Sequence, residues 1–214
     1  MPVTVVVPAY NEERTVGAVA RTALAARPLV RQVIVVDDGS TDRTAVEARA
    51  AGAEVVVLDT NGGKALAVLQ GVRRAKEDTL LFLDADLLGL RPEHLWDLAL
   101  PVLEGGAHMS IGVFRRGRRA TDLAQWLAPQ LSGQRCLTRR LFEAAVPSMS
   151  SGFGLEKALN RYARQAGVPV VWVPMPGVTH LMKEEKRGLW KGIQSRLRMY
   201  LDLYRSPGPI RGDP

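Results

Sequence analysis

The segment that most constrains the fold is residues 80–87, an apolar run that leads into two aspartates separated by one residue. A short, continuous apolar run is typical of a strand buried on both faces of a parallel sheet, so we predict a strand over residues 80–83. Asp84 and Asp86 then follow its carboxyl end, the edge at which open α/β sheets bind ligands. Because alternate residues project the same way, both carboxylates can address one Mg²⁺ or Mn²⁺ ion. Taken alone, such a pair usually marks a solvated turn or a helix cap, and the rest of the sequence is what favours a metal.

Three earlier segments repeat the order strand, polar turn, helix. The strands are predicted over residues 3–7, 32–36 and 53–58, and the helices that follow carry apolar residues at helical spacing. Asn11 is predicted to cap the first helix, and Ser40 or Thr41 to cap the second. Further helices are predicted over residues 91–104, 121–127, 139–145, 155–166 and 187–204, and further strands over 107–114 and 168–173. This order predicts an α/β fold with a mostly parallel, doubly wound sheet.

Polar residues in two of the turns are candidates for ligand binding. Asp37 and Asp38 follow the second strand directly, and two adjacent carboxylates at a strand end repel each other unless a ligand compensates them. Gly62, Gly63 and Lys64 precede the third helix, where backbone N–H groups and an ammonium can approach a phosphate. The spacing of a P-loop and the Gly-x-Gly-x-x-Gly pattern are both absent from the sequence, which counts against ATPase and dehydrogenase functions.

Composition and charge narrow the function classes. The 214 residues include one cysteine, Cys136, so an internal disulfide and a cysteine-based zinc site are excluded. Residues 1–100 carry a net charge of −3 and residues 101–214 one of +10, which suits a metal in the first half and an anionic ligand in the second. The basic residues are not interleaved with aromatic ones, so nucleic acid is not the expected partner. Without an apolar segment of membrane-spanning length or a signal peptide, we expect a cytoplasmic protein with no stable membrane insertion.

The second half adds candidates whose roles the residues alone leave open. The basic run at residues 115–119 is either a solvated loop or a site for an anionic acceptor. Glu156 lies in the first turn of a predicted helix, where it could merely complement the helix dipole. His180 is followed by a charged run, which suggests that this histidine lies at the polar entrance of a site rather than in the hydrophobic core.

Four motifs in order resemble family 2 glycosyltransferases of the GT-A fold. They are Val7-Pro8-Ala9-Tyr10-Asn11-Glu12-Glu13, Val36-Asp37-Asp38-Gly39-Ser40-Thr41-Asp42, Gly63-Lys64 and Asp84-Ala85-Asp86. The resemblance implies a Rossmann-like single domain over residues 1–205, with a nucleotide-sugar half at 1–104, an acceptor half at 105–205 and a flexible tail at 206–214. It also implies a nucleoside diphosphate sugar as donor, with Mg²⁺ or Mn²⁺ held on the diphosphate.

The second half contains four further features: Gly117-Arg118-Arg119-Ala120-Thr121-Asp122-Leu123, the Ser132-Gly133-Gln134 loop, Gly152-Phe153-Gly154-Leu155-Glu156 and His180. By these it is similar to the glucosyl-3-phosphoglycerate synthases, and this resemblance implies a role for each matching residue. The nucleoside would be lined by Pro8, Ala9, Tyr10, Glu12, Asp37 and Asp38. Lys64 would meet the diphosphate, and Asp84 and Ala85 would also belong to the donor site. Asp84, Asp86 and His180 would hold the metal. Glu156 would contact the donor sugar, and Asp86, Glu156 and Lys64 would serve catalysis. The acceptor would be bound by Arg118, Arg119, Thr121, Gly133 and Gln134, although Ser132-Gly133-Gln134 stands where a Gly-Gly-Glu type loop is expected.

The expected function is therefore transfer of a hexose, with UDP-glucose as the expected donor, to a small acceptor such as 3-phosphoglycerate. The alternatives are transfer to polyprenyl phosphate at the membrane surface, a nucleotide-sugar nucleotidyltransferase and a non-catalytic nucleotide-binding module. Whether the product inverts its anomeric configuration is left open, and an inverting reaction would need Glu156 or Asp122 as base. The sequence also leaves a homodimer open.

Overall fold

The computed structural model describes residues 1–115, 132–149 and 154–181. Its strands are β1 Val3–Ala9, β2 Val30–Asp37, β3 Glu54–Val57, β4 Thr79–Phe82, β5 Leu87–Leu88, β6 Met109–Arg115, β7 Arg135–Thr138, β8 Val170–Pro176 and β9 Thr179–His180. Its helices are α1 Val16–Ala25, α2 Thr44–Ala50, α3 Lys64–Arg74, α4 Pro92–Leu103, α5 Arg139–Met149 and α6 Leu155–Gln165. The predicted helices at 121–127 and 187–204 and the predicted tail lie outside the described residues.

Seven of these strands form one mixed sheet in the order β3-β2-β1-β4-β7-β6-β8. β1 pairs in parallel with both β2 and β4, and β2 pairs in parallel with β3. β7 is antiparallel to its neighbours β4 and β6, whereas β8 is parallel to β6. The mostly parallel sheet predicted from the sequence is confirmed, and the strand that runs the other way, β7, was predicted as part of a loop.

The sheet is covered on both faces because successive residues of its central strands point in opposite directions. Val5 and Val7 of β1 belong to one core cluster, together with apolar residues of α1 and α4. Val6 belongs to the other cluster, which is filled by residues of α3, α5 and α6. The strands buried on both faces are therefore continuous apolar runs rather than alternating ones, and the doubly wound arrangement is confirmed.

Two of the predicted helix caps are wrong. Asn11 adopts a φ of 55°, and α1 begins five residues later at Val16. Ser40 and Thr41 do not cap α2, which begins at Thr44. The β8 strand also extends through Pro174 and Pro176, which were predicted to lie beyond its end.

His94 in the first turn of α4 links helix capping to pH. It is buried, and its Nδ1 accepts a hydrogen bond of 3.2 Å from the backbone N–H of Arg91, so the cap uses the neutral ring. Burial and then the positive charge of Arg91 lower the pKa of His94 below its ordinary value of 6.5. A base whose pKa falls on folding stabilises the protein above the unfolded pKa and loses that contribution as the pH falls.

We therefore expect His94→Gln to be more destabilising at pH 7.5 than at pH 5.5. Urea unfolding of both proteins at the two pH values measures this as a difference in the free energy of unfolding. His180 has a raised pKa and so titrates with the opposite sign, but it is present in both proteins and cancels in the comparison. An equal loss of stability at both pH values would contradict the assignment.

Candidate metal and nucleotide site

The carboxylates that follow β2 are bound by the protein's own backbone. The N–H groups of Gly62 and Gly63 each donate a hydrogen bond of 2.8 Å to Asp38, one to each carboxylate oxygen. Asp37 accepts a hydrogen bond of 2.9 Å from the N–H of Ser40. The argument that these two aspartates require a ligand is therefore wrong. The expectation that the N–H groups of Gly62 and Gly63 face a phosphate is wrong as well, because Asp38 accepts both.

Polar side chains also join the loop after β1 to the loop after β2. The backbone N–H of Asn11 donates to Ser40 Oγ at 2.9 Å, and Asn11 Oδ1 accepts the N–H of Thr41 at 2.9 Å. The N–H of Glu12 donates to Thr44 Oγ1 at 2.8 Å. These reciprocal bonds account for the polar residues that were predicted to be helix caps, and they fix the two loops against each other at the carboxyl edge of the sheet.

Asp84, Asp86 and His180 come together beyond the end of β4. Each offers one ligand atom, and these atoms all lie within 4.8 Å of one another. His180 Nδ1 is 2.9 Å from Asp86 Oδ1. The short antiparallel ladder of β5 and β9 pairs Leu87 with His180, which brings the histidine to the aspartates across almost a hundred residues of sequence.

Burial would lower the pKa of His180, but its hydrogen bond with Asp86 and the charge of Asp84 together raise it. The ring lies against Phe114, with 4.9 Å between the ring centroids. The imidazole is therefore held in place from two sides. This arrangement fits a divalent cation, since carboxylate oxygens suit Mg²⁺ and Mn²⁺ and an imidazole nitrogen suits transition metals. The mixed donor set favours Mn²⁺.

Lys64 lies between two carboxylates from different parts of the chain. Its Nζ is 2.6 Å from Asp84 Oδ1 and 2.6 Å from Glu156 Oε1. Burial would lower the pKa of Lys64, and the negative charges of Asp84 and Glu156 outweigh it and raise that pKa. Burial likewise opposes ionisation of Asp84, but the charge of Lys64 leads the interactions that lower the pKa of Asp84 to about 2. Lys64 and Asp84 are therefore charged at neutral pH.

The Ser132–Gln134 loop closes over Asp84. Gln134 is fully buried, and its Nε2 donates to Asp84 Oδ2 at 2.7 Å while its Oε1 accepts from Ser132 Oγ at 2.8 Å. Both ends of the amide are thus engaged inside the protein. The sequence-based assignment of Gln134 to the acceptor does not fit this burial. The structure places the residue behind Asp84 instead.

The remaining predicted residues are distributed as follows. Pro8, Ala9, Tyr10 and Glu12 lie at and just beyond the carboxyl end of β1, and the side chain of Tyr10 is 43% exposed. Ala85 is buried between the two aspartates. Arg118, Arg119, Thr121 and the alternative base Asp122 lie outside the described residues. Arg135 and Asn160, which contact each other beside Glu156, were missed; a charged residue beside the apolar Cys136 and Leu137 is the signal that could have singled out Arg135.

The doubly wound α/β domain, with acidic and imidazole side chains clustered at the carboxyl edge of its sheet, has a GT-A-like fold. The chain belongs to glycosyl transferase family 2, whose sequence model matches residues 4–162. It is 33% identical over 193 residues to the glucosyl-3-phosphoglycerate synthase of Mycolicibacterium smegmatis. This match covers 73% of this chain and 62% of that protein. It is 35% identical over 126 residues to the undecaprenyl-phosphate 4-deoxy-4-formamido-L-arabinose transferase of Aeromonas hydrophila, over 55% of this chain and 38% of that one.

Solved structures give the same relationship. The glucosyl-3-phosphoglycerate synthase of Mycobacterium tuberculosis, in complex with Mn²⁺, UDP-glucose and phosphoglyceric acid, superposes with a TM-score of 0.72 and 25% identity over 94% of this chain and 77% of that one. The chain thus spans 62% or less of the length of these two curated relatives.

Gly133 is required by the space around Asp84 and Lys64. A Cβ at this position would lie 2.5 Å from Lys64 Nζ and closer still to the Asp84 carboxylate. We expect Gly133→Ala to displace that carboxylate and weaken Mn²⁺ binding about tenfold, as changes that disturb the orientation of metal ligands do. Isothermal titration with Mn²⁺ measures the effect.

The matched control is Gly106→Ala, in the loop after α4, where the nearest atom to an added Cβ is the Pro101 carbonyl oxygen at 3.6 Å. We expect its Mn²⁺ affinity to match that of the unaltered protein. Equal affinities for the two variants would show that Gly133 is not needed to shape this site.

Proposed function

We propose that this chain transfers a hexosyl group from a nucleoside diphosphate sugar to an acceptor hydroxyl, with a divalent cation as cofactor. The observation that carries the proposal is the cluster of Asp84, Asp86 and His180 with Lys64 hydrogen-bonded to one of its members. The family supports glycosyl transfer as the reaction class. The mycobacterial structures, which contain Mn²⁺ or Mg²⁺ with UDP or UDP-glucose, support the donor and the cofactor.

Asp84, Asp86 and His180 would hold the cation, which when bound neutralises negative charge on the departing diphosphate. Lys64 supplies a second positive charge at the same place. Its ammonium would have to exchange one of its two carboxylate partners to contact a diphosphate oxygen. The nucleoside would be lined by Pro8, Ala9, Tyr10, Glu12, Asp37 and Asp38. Backbone N–H groups fix the orientation of the Asp38 carboxylate.

Glu156 is better suited to orienting Lys64 and the donor sugar than to accepting a proton from the acceptor. Its Oε1 forms an ion pair with Lys64 Nζ at 2.6 Å, so the ammonium already occupies an oxygen that a base would offer to the acceptor hydroxyl. We propose that it orients Lys64 and the donor sugar. The anomeric configuration of the product, determined by NMR, tests this: a retained configuration agrees with the proposed role, whereas an inverted product would require a base, for which Glu156 and Asp122 are the candidates.

Replacing Asp86 tests the metal. We expect Asp86→Ala to lower the rate of transfer roughly a hundredfold or more, since it removes several kcal/mol of charge stabilisation in the transition state. The same variant should lose the part of the thermal stabilisation by UDP that depends on Mn²⁺, because a ligand stabilises only the state that binds it. Initial rates with UDP-glucose and melting curves with UDP, each with and without Mn²⁺, provide both measurements.

Glu104→Gln is the matched control for that experiment, because Glu104 is an exposed carboxylate at the end of α4. We expect it to keep the rate and the Mn²⁺-dependent shift. Full turnover by Asp86→Ala protein in EDTA would overturn the proposed use of the metal.

The acceptor has two candidates. Similarity to glucosyl-3-phosphoglycerate synthases favours a small phosphorylated acceptor, and Arg118, Arg119, Thr121 and Gly133 are the residues proposed to bind it. Similarity to the undecaprenyl-phosphate transferases favours a lipid-linked phosphate. Among the described residues, no helix combines the length and apolarity needed to span a bilayer.

We expect 3-phosphoglycerate, rather than undecaprenyl phosphate in detergent, to accept glucose from UDP-glucose. Product formation by mass spectrometry with each acceptor separately decides between them. Transfer to the lipid phosphate alone would reverse the assignment. If UDP-glucose is hydrolysed but glucose is transferred to neither compound, both proposed acceptors are wrong, while cleavage of the donor still agrees with the reaction class.

A further inference from the structure

Arg135, the first residue of β7, is a charged side chain with only 1% of its surface exposed. A buried guanidinium is unfavourable unless charges and hydrogen bonds compensate it. Burial lowers the pKa of Arg135 to about 10, and the negative charges of Glu156 and Asp84 act in the opposite direction. Arg135 is therefore a cation at neutral pH, and it lies in the field of the same two carboxylates that hold Lys64.

The guanidinium connects two elements that approach Lys64. Its Nε donates a hydrogen bond of 2.8 Å to the carbonyl of Ser132, and thereby closes the loop that contacts Asp84. Its Nη1 donates one of 2.7 Å to Asn160 Oδ1. Asn160 lies four residues after Glu156 in α6, and residues with this spacing share one face of a helix. The bond to Asn160 therefore fixes the face of α6 that presents Glu156.

We propose that Arg135 is a positioning residue, which holds the Ser132–Gln134 loop and α6 so that Asp84 and Glu156 meet Lys64 from two sides. Arg135 acts through these residues and does not itself touch a ligand, since it is buried behind them. Lys64 and Arg135 together oppose the charges of Asp84 and Glu156, so the four side chains form a balanced group. The proposal deepens the proposed function but does not depend on a particular donor or acceptor.

The rate at which Lys64 Nζ is acylated by an N-hydroxysuccinimide ester, followed by peptide mass spectrometry, measures its pairing directly. Arg135→Lys keeps the charge but cannot form the same fork of hydrogen bonds. We expect Lys64 to react about tenfold faster in this variant, the size of effect seen when members of one network are uncoupled. Acylation of the exposed Lys157 should remain unchanged and serves as the internal reference.

Asn160→Leu breaks the same connection from α6 and leaves Arg135 intact, so it should raise the acylation of Lys64 in the same way. It also carries the test if Arg135→Lys fails to fold. Glu156→Gln should raise the rate too, and adding Arg135→Lys to it should have little further effect if Arg135 acts through Glu156.

The matched control is Arg139→Lys. Arg139 donates to the carbonyls of Val72, Ala75 and Glu77, in the last turn of α3 and the segment that follows it. Its replacement should therefore lower the melting temperature without changing the acylation of Lys64. If folded Arg135→Lys and Asn160→Leu proteins acylate Lys64 at the unaltered rate, or if Arg139→Lys raises it equally, Arg135 only packs the core and the proposal is overturned.

These outcomes are independent of the proposed function, because acylation needs no nucleotide sugar. A faster reaction of Lys64 in a protein without glycosyl transfer would support the positioning role and overturn the function. Where transfer is measured, we expect Arg135→Lys to lower kcat about tenfold and to change the KM of the donor less than about twofold, since the residues proposed to line the nucleoside lie at or just beyond the carboxyl ends of β1 and β2. The reverse pattern would place Arg135 in donor binding.

Discussion

The ammonium of Lys64 lies 2.6 Å from the carboxylates of both Asp84 and Glu156. This contact joins the candidate metal cluster, which includes Asp84, to α6, which carries Glu156. Lys64 begins α3, Asp84 follows β4, and Glu156 lies in the first turn of α6. Two carboxylates in one partly buried place repel each other unless a cation separates them. The position of α6 relative to the first four strands is thus coupled to the charge of one side chain.

The general plan of the fold could be predicted because it follows from local patterns. Continuous apolar runs predict buried strands, and each is followed by a polar turn and an amphipathic helix, which together require a parallel sheet covered on both faces. The same plan predicts that Lys64, Asp84 and Asp86 lie near one edge. The structure brings these residues together with His180 and Glu156. That these two residues belong to the same site was predicted from the family resemblance, and not from the local pattern.

Three strands could not be predicted, because pairing rather than local sequence creates them. β7 has four residues, one of them a buried arginine, and runs directly into α5; it is a strand because β4 and β6 supply partners on both sides. β5 and β9 have two residues each and pair only with one another. Arg135 and Gln134 were consequently assigned to a loop, and their burial behind the site was not foreseen.

The polar residues of the motifs divide into two groups that a sequence does not distinguish. Asn11 and Ser40 hold loops together, and the carboxylate of Asp38 is bound by two backbone N–H groups, whereas Asp86 and His180 face each other in the cation cluster. Both groups require short polar side chains at the ends of strands. The two groups differ in whether the protein itself supplies a hydrogen-bond donor or acceptor for each side chain. That depends on how the loops pack against each other, which the local sequence does not show.

The charges of the site indicate how its ligands would depend on one another. Asp84, Asp86 and Glu156 carry three negative charges, Lys64 and Arg135 carry two positive ones, and His180 acts as a neutral ligand when it binds a metal. A diphosphate entering alone would add its charge to a site that is already negative, while a divalent cation entering alone would make it positive. Each ligand therefore reduces the electrostatic cost of binding the other, and this coupling is reciprocal. On the proposed function, cation and nucleotide should accordingly bind as a pair, and the cation would couple Asp86 and His180 to the nucleotide without either side chain contacting it.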